Sequence, residues 1–154
     1  MFRCAACGAF NRVREPRPPG EPTCGRCHRM LDLSGKPQEV DGDGLRRAVE
    51  SAPVPVLVDV WAPWCGPCRT SGPVVDTLGR AQAGRLLVLK LNSDEHAQAA
   101  GALNVRGIPT FVLYSGGREE GRLSGAMPLA EMERWLAQTL GGGAGAMAWP
   151  DAGR

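Results

Sequence analysis

Six cysteines carry most of the reactive chemistry in this chain, and they stand as three C-x-x-C pairs: Cys4/Cys7, Cys24/Cys27 and Cys65/Cys68. A thiolate attacks disulfides and binds soft metals, whereas an inert thiol does neither. The last pair lies in Trp61-Ala62-Pro63-Trp64-Cys65-Gly66-Pro67-Cys68, just after the apolar run Val56, Leu57, Val58, Val60. On a helix opening at Cys65, residues i and i+3 face each other about 5–6 Å apart at Cβ, a modest adjustment from disulfide distance. The unpaired N–H groups and the dipole at that helix end favour a thiolate on Cys65. Cys68, one turn in, is expected to be better covered and to resolve the intermediate. Pro67 suits a first turn that has no use for its missing N–H. The competing reading, half of a zinc site, loses because Pro67 removes an amide that a thiolate-binding knuckle would use, and no further C-x-x-C follows.

The other four cysteines follow the pattern C-x2-C-x16-C-x2-C, which matches four-thiolate zinc sites. Gly8 after Cys7 helps a tight knuckle. The segment from Asn11 to Thr23 is rich in Arg and Pro and has almost nothing apolar to bury, so a metal is the usual substitute for a core. Arg3, Arg12, Arg14, Arg17, Arg26 and Arg29 would offset the charge of four thiolates around one Zn²⁺. Two alternatives stand beside zinc. Two further disulfides are disfavoured in a reducing compartment. His28 could replace Cys27, but a lone histidine beside a ligand cysteine is more often a solvated neighbour, so it is left out of the ligand set.

These residues need elements to position them. A uniformly apolar, β-branched run such as Val56–Val60 reads as a central strand buried on both faces, and chemistry in such sheets gathers beyond the strand's carboxyl end, where Cys65 falls. Ser34 to Gly44 reads as a linker in which Gln38-Glu39-Val40 forms a short edge strand. Asp43 is the expected N-cap of a helix over Leu45–Glu50, closed by Pro53 and Pro55. The helix after Cys65 should run to about Ala81 with Pro73 inside it and Val74, Val75 and Leu78 toward the sheet. Leu86–Leu91 reads as a strand. Asp94–Leu103 reads as a helix with Ala97, Ala100 and Leu103 inward and His96 on its solvated side. Thr110–Tyr114 and Glu119–Leu123 form a hairpin across Ser115-Gly116-Gly117-Arg118. An amphipathic helix with Leu129, Met132, Leu136 and Leu140 on one face closes the chain. Gly141 to Arg154, with Trp149, reads as a flexible Gly-rich tail.

Composition narrows the class. A length of 154 residues suits one domain with a small appendage, and 43% hydrophobic with 22% charged residues is a globular balance. A net charge of +2 is too small to suggest a nucleic acid or an anionic membrane as partner. The N-terminus has no apolar run long enough for a signal peptide and no stretch could span a bilayer, so the expected location is the cytoplasm.

The string from Trp61 to Cys68 resembles the active site of the thioredoxin family. The resemblance extends to Asp59, Pro73, Lys90, Gly107-Ile108-Pro109-Thr110 and Gly125-Ala126, and it covers roughly residues 40–140. It implies a thioredoxin fold, a central mixed β-sheet flanked by helices, which the order β-α-β-α-β-α-β-β-α fits. The zinc-ribbon-like segment before it resembles the zinc-binding thioredoxin 2 branch of bacteria. The expected organisation is a zinc segment at 1–33, a linker and edge strand at 34–42, a thioredoxin domain at 43–140 and a tail at 141–154. The implied activity is protein-disulfide reduction, with thioredoxin reductase and NADPH restoring the dithiol and no organic cofactor bound; the family also suggests a monomer.

Asp59 is a carboxylate in an apolar strand, where desolvation should raise its pKa. The resemblance places it behind the buried cysteine, as proton acceptor for Cys68, with Lys90 tuning its charge. It also makes Pro109 a cis proline opposite the dithiol. Trp61, Trp64, Ile108, Gly125 and Ala126, with Gly66 and Pro67 of the motif, would form the substrate surface. Ser124 departs from the family, which often has an apolar residue there. Oxidases and isomerases of this fold typically place a histidine between the cysteines; Gly66-Pro67 carries no such charge, so the direction implied is reduction. The zinc site would be structural or redox-responsive.

Overall fold

The computed structural model describes residues 1–14, 20 and 22–141. The expectations for the tail, Trp149 included, and for Arg17 lie outside those residues. Two short strands, β1 (Phe2–Arg3) and β2 (Phe10–Asn11), pair antiparallel around the first cysteine pair. There follow β3 (Gln38–Glu39), α1 (Gly42–Ser51), β4 (Val56–Trp61), α2 (Gly66–Ala81), β5 (Leu87–Asn92) and α3 (Ala97–Ala102). The last elements are β6 (Thr110–Ser115), β7 (Arg118–Ser124) and α4 (Leu129–Gly141). The sheet order is β3-β5-β4-β6-β7, parallel across its first three strands and antiparallel at β4–β6 and β6–β7. This is the mixed thioredoxin sheet. Gly116 and Gly117, at φ 61° and 81°, turn β6 into β7 with the two positive φ values of a type I′ hairpin.

The central strand is apolar because it faces a core on each side. Val56, Val58 and Val60 pack with Leu45 and Ala48 of α1 and Ala100 of α3. Leu57 points the other way, toward Val75 and Leu78 of α2 and Met132, Leu136 and Leu140 of α4. Burying such a side chain contributes about 1.5–3 kcal/mol. Alternation along a strand therefore puts Asp59 and Trp61 on the same face as Leu57, beneath α2. Registered partners across the sheet share that face, so Glu39, Lys90, Asp59, Phe111 and Leu123 form one row over β3, β5, β4, β6 and β7.

Three local expectations change. The N-cap of α1 is Asp41, not Asp43: its Oδ1 accepts from Gly44 N at 2.7 Å, while Asp43 in the first turn pairs with Arg46 and Arg47. The helix expected from Asp94 starts only at Ala97, because Asn92 Oδ1 accepts from the amides of Asp94 and Glu95 and holds them in a turn. Ala97 is consequently exposed, and Ala99 and Ala100 pack instead. On α2, Val74 is only half-buried, and its place on the covered face is taken by Ser71, fully buried one turn before Val75.

The N-terminal segment lies against the β3 edge. Arg3 donates to Gln38 Oε1 at 2.7 Å, Gln38 Nε2 donates back to Arg3 O at 3.0 Å, and the terminal amine donates to Gly84 O at 3.0 Å. The Phe2 ring covers Gly84, whose φ of 82° and lack of a Cβ allow that approach. A short edge strand covered in this way offers little to a foreign strand. Among the described residues no helix is long and apolar enough to cross a membrane.

Candidate active site and candidate metal centre

Cys65 is the N-cap of α2. Its φ and ψ of −82° and 113° are extended, its Sγ accepts from the Cys68 amide at 3.2 Å, and its carbonyl accepts from Arg69 N at 3.3 Å. The sulfur thus sits where the helix presents unpaired N–H groups, which stabilise negative charge. Cys65 and Cys68 are joined as a disulfide, with Cα atoms 5.3 Å apart. The expected difference in cover is absent: Cys65 is 3% exposed and Cys68 7%. Ile108 lies over the first cysteine, its carbonyl oxygen 3.7 Å from Cys65 Sγ. Helix position rather than accessibility separates the two sulfurs.

The Ile108–Pro109 bond is cis, as the resemblance implied. Pro109 O accepts from Gly125 N at 2.8 Å, and Gly125 adopts φ 93°, a conformation that favours glycine. Half-buried Ile108 packs against the two cysteines, exposed Gly66 and Pro67 lie between them, and buried Pro109 ties half-buried Gly125, followed by exposed Ala126, to the Ile108 loop. Trp64 stands out from this group at 67% exposure, with its indole N–H donated to Asp94 Oδ2 at 2.9 Å. Ser124 Oγ lies 3.3 Å from Thr110 Oγ1, which gives its hydroxyl a partner on the neighbouring strand. Trp61, half-buried like Ile108, packs with it against Ala62, Cys65 and Cys68, and the Lys90 ammonium lies 4.5 Å from its ring centroid.

Asp59 is 2% exposed, and its Oδ1 has no hydrogen-bond partner among the described residues. Burial pushes its carboxyl up to about 7, against a smaller downward pull from Lys90 and a further upward push from Glu39. Lys90 acts on this carboxylate as a nearby charge, while its Nζ pairs with Glu39, 4.0 Å from Oε2. Burial pushes the Glu39 carboxyl above its ordinary value, against smaller downward pulls from Lys90 and the Trp61 indole.

The four N-terminal sulfurs lie within 4.8 Å of one another. Cys4 and Cys27 approach to 3.7 Å at Sγ, as do Cys7 and Cys24. A tetrahedral ion with metal–sulfur bonds of about 2.3 Å would set its ligands about 3.8 Å apart, so the residues fit a tetrathiolate metal. Each pair is a knuckle. Cys4 N donates to Ala9 O and Gly8 N to Cys4 O; in the second knuckle Cys24 N donates to Arg29 O and His28 N to Cys24 O. Gly8 and His28 occupy the same left-handed position, φ 82° and 66°. The Cys24 thiol is drawn down to about 6, first by the Cys27 backbone N–H, then by the Asn11 side chain and the Arg26 N–H. Such donors also stabilise a metal-bound thiolate.

Residues 36–138, more than half the chain, match the family model described as Thioredoxin. The chain belongs to the thioredoxin family. It is 37% identical over 137 residues to "Thioredoxin C-3" of Corynebacterium nephridii, covering 89% of this chain and 93% of that one. It is 39% identical over 108 residues to the thioredoxin of Synechocystis, covering 70% of this chain and all of the other. Among solved structures it resembles Malassezia sympodialis thioredoxin, with a TM-score of 0.62 and 30% identity over 73% of this chain and 97% of that one. Thioredoxin relatives at this level make the chain a protein-disulfide oxidoreductase, and its four N-terminal cysteines fit the family's zinc-binding branch.

Residues that sequence reasoning missed lie around this thioredoxin dithiol. Glu39, expected only as part of an edge strand, shares a row with Lys90 and Asp59. Buried Ser71, whose hydroxyl donates to Cys68 O at 3.2 Å, and Asp94, the Trp64 partner, are the others. The Ser71 position, three residues after Cys68 on one helix, was the one legible signal.

Proposed function

We propose that this chain reduces protein disulfides through its Trp64-Cys65-Gly66-Pro67-Cys68 motif, with Cys65 as nucleophile and Cys68 as resolving thiol. What carries the reading is Cys65 as the N-cap of α2, with its sulfur accepting the Cys68 amide. In the reduced protein the Cys65 thiolate attacks one sulfur of a substrate disulfide. A mixed disulfide forms and the first substrate thiolate leaves, taking a proton from solvent. Cys68 then gives its proton to the Asp59 carboxylate and attacks Cys65 Sγ. The second substrate sulfur departs as a thiolate and is protonated, so two electrons have passed to the substrate and Cys65–Cys68 is a disulfide. Lys90 biases the charge of Asp59. Ile108, Pro109, Gly125 and Ala126, with Trp64, Gly66 and Pro67, are the surface against which the substrate chain lies. Thioredoxin reductase with NADPH restores the dithiol in the cytoplasm, and the protein acts as a monomer.

Residues 1–33 form a zinc segment ahead of a redox domain at 43–140. Cys4, Cys7, Cys24 and Cys27 would hold one Zn²⁺, which supplies folding energy to a segment with little core of its own. Exposures of 2% for Cys4 and 0% for Cys24 favour a structural ion over one poised for oxidation.

Insulin reduction with NADPH and thioredoxin reductase tests the reading. Cys65→Ser should fall to background, and Cys68→Ser should accumulate a mixed disulfide through Cys65, visible by mass spectrometry. Full activity in Cys65→Ser would sink it.

A further inference from the structure

The row beneath α2 contains three ionisable side chains on three adjacent strands: Glu39 on β3, Lys90 on β5 and Asp59 on β4. Strands lie about 4.8 Å apart, so one ammonium stands between two carboxyl groups and neither can claim it alone. The two carboxyls differ in what ionisation costs them. Burial raises the pKa of both, but the Glu39 side chain is still 57% exposed to water, whereas Asp59 is 2% exposed and its Oδ1 has no hydrogen-bond partner among the described residues. Lys90 leans to the exposed side, 4.0 Å from Glu39 Oε2 and over the Trp61 ring.

We infer that Glu39 is a positioning residue for the exchange reaction: it engages the Lys90 ammonium from the edge of the sheet and leaves Asp59 without a full counter-ion, so that Asp59 trades a proton with Cys68 near neutrality. This rests on the proton-acceptor role proposed for Asp59 and adds the group that sets its charge. Were Lys90 free to serve Asp59 alone, its attraction would offset more of the burial penalty and bring the carboxyl further below neutrality. It would then be a poor match for a thiol proton, because acid–base transfer works best with a pKa near the working pH.

The groups around the row can be named from each element. Lys90 from β5 and Glu39 from β3 are the charges acting on Asp59, and they act in opposite directions. Phe111 from β6 is its uncharged neighbour in register, and α2 contributes the dithiol. Glu39 in turn is raised by its own partial burial and feels Lys90, the Trp61 indole, Glu95 and His96. Glu95 and His96 push it in opposite directions and lie outside the row.

The test is a ¹³C titration of the Asp59 carboxyl in the reduced full-length protein. Glu39→Gln keeps the shape of an exposed side chain and removes its charge, and the Asp59 midpoint should fall by about half a pH unit or more. Lys90→Met, which keeps an apolar stem over Trp61, should raise the midpoint. In the Lys90→Met background the effect of Glu39→Gln should shrink to less than half, because most of it runs through the ammonium and only the remainder is direct repulsion between the two carboxylates. A midpoint that stays put or rises in Glu39→Gln overturns the inference. So does a shift that keeps more than half its size without Lys90, since direct repulsion would then be the main effect. If Lys90→Met fails to fold, Lys90→Gln takes its place in the cycle. The titration reads Asp59 itself and not turnover, so it fails independently of the reductase reading, which the insulin assay decides.

Discussion

The same tripartite spacing, two cysteines with two residues between, occurs three times in this chain and does two different things. At Cys65–Cys68 the two sulfurs turn toward each other at the head of a helix. At Cys4–Cys7 and Cys24–Cys27 the close approaches run between pairs, Cys4 to Cys27 and Cys7 to Cys24, at 3.7 Å. What separates them is the residue that follows the second cysteine. All three donate their N–H to the carbonyl of the first cysteine, but Gly8 and His28 take positive φ and fold the chain back on itself, whereas Arg69 continues a helix. A thiolate at a helix end is left able to react, and one wrapped in a knuckle is left to bind. The spacing alone says neither.

The sharpest way to break this comparison is to remove one system and ask whether the other survives. Cys24→Ser should abolish metal binding, which in zinc-finger peptides supplies about 10–16 kcal/mol, and should open the N-terminal segment to proteolysis. Insulin reduction should persist within a factor of about three, because the dithiol stands on α2 and β4. Metal analysis, limited proteolysis and the reductase assay read all three, and joint loss of zinc and activity would show that the two cysteine systems are one.

A smaller effect sharpens what burial does on the reactive side. Asp59 holds its proton up to about pH 7 when folded, against an ordinary value of 3.8. Between those values the native state binds more protons than the unfolded chain, so stability falls as pH rises from about 4 to about 7, by roughly 4 kcal/mol in total. Asp59→Asn should therefore be more stable than the parent at pH 8 by up to about that amount, and nearly equal to it at pH 4. Urea unfolding at the two pH values measures the difference; equal midpoints at pH 8 would mean that burial costs the carboxylate nothing.

The smallest prediction concerns the binding side. His28 occupies a left-handed position that its counterpart Gly8 fills without strain. His28→Gly should tighten the knuckle by roughly 0.5–1 kcal/mol and leave metal stoichiometry unchanged. Competition against a metal indicator reads it, and weaker binding would make His28 a ligand after all.

Much of this was legible from residue types. Apolar runs placed β4, α2, β6 and α4, and the glycine pair at 116–117 placed the hairpin, because strand and helix periods are properties of neighbouring residues. Pro67 and Gly8, which act within their own turns, separated a reactive pair from a four-sulfur group that shares its spacing. Errors came where a side chain chose between nearby partners. Asp41 and Asp43 are both good caps, and only the path of α1 decides that Asp41 reaches the Gly44 amide. Asn92 consumes two amides that would otherwise have begun α3.

The chain by itself determined which sulfurs pair, which strand is central and which carboxyl is out of place in it, since each depends on chemistry within a few residues. Only the folded sheet decided that Glu39 stands two strands from Asp59 with Lys90 between them. Their registers are set by the hydrogen bonding of β3 and β4 to β5, not by spacing along the chain. It also decided that Ile108 covers Cys65 as closely as α2 covers Cys68. That depends on a loop more than forty residues away, brought to the end of β4 by the sheet.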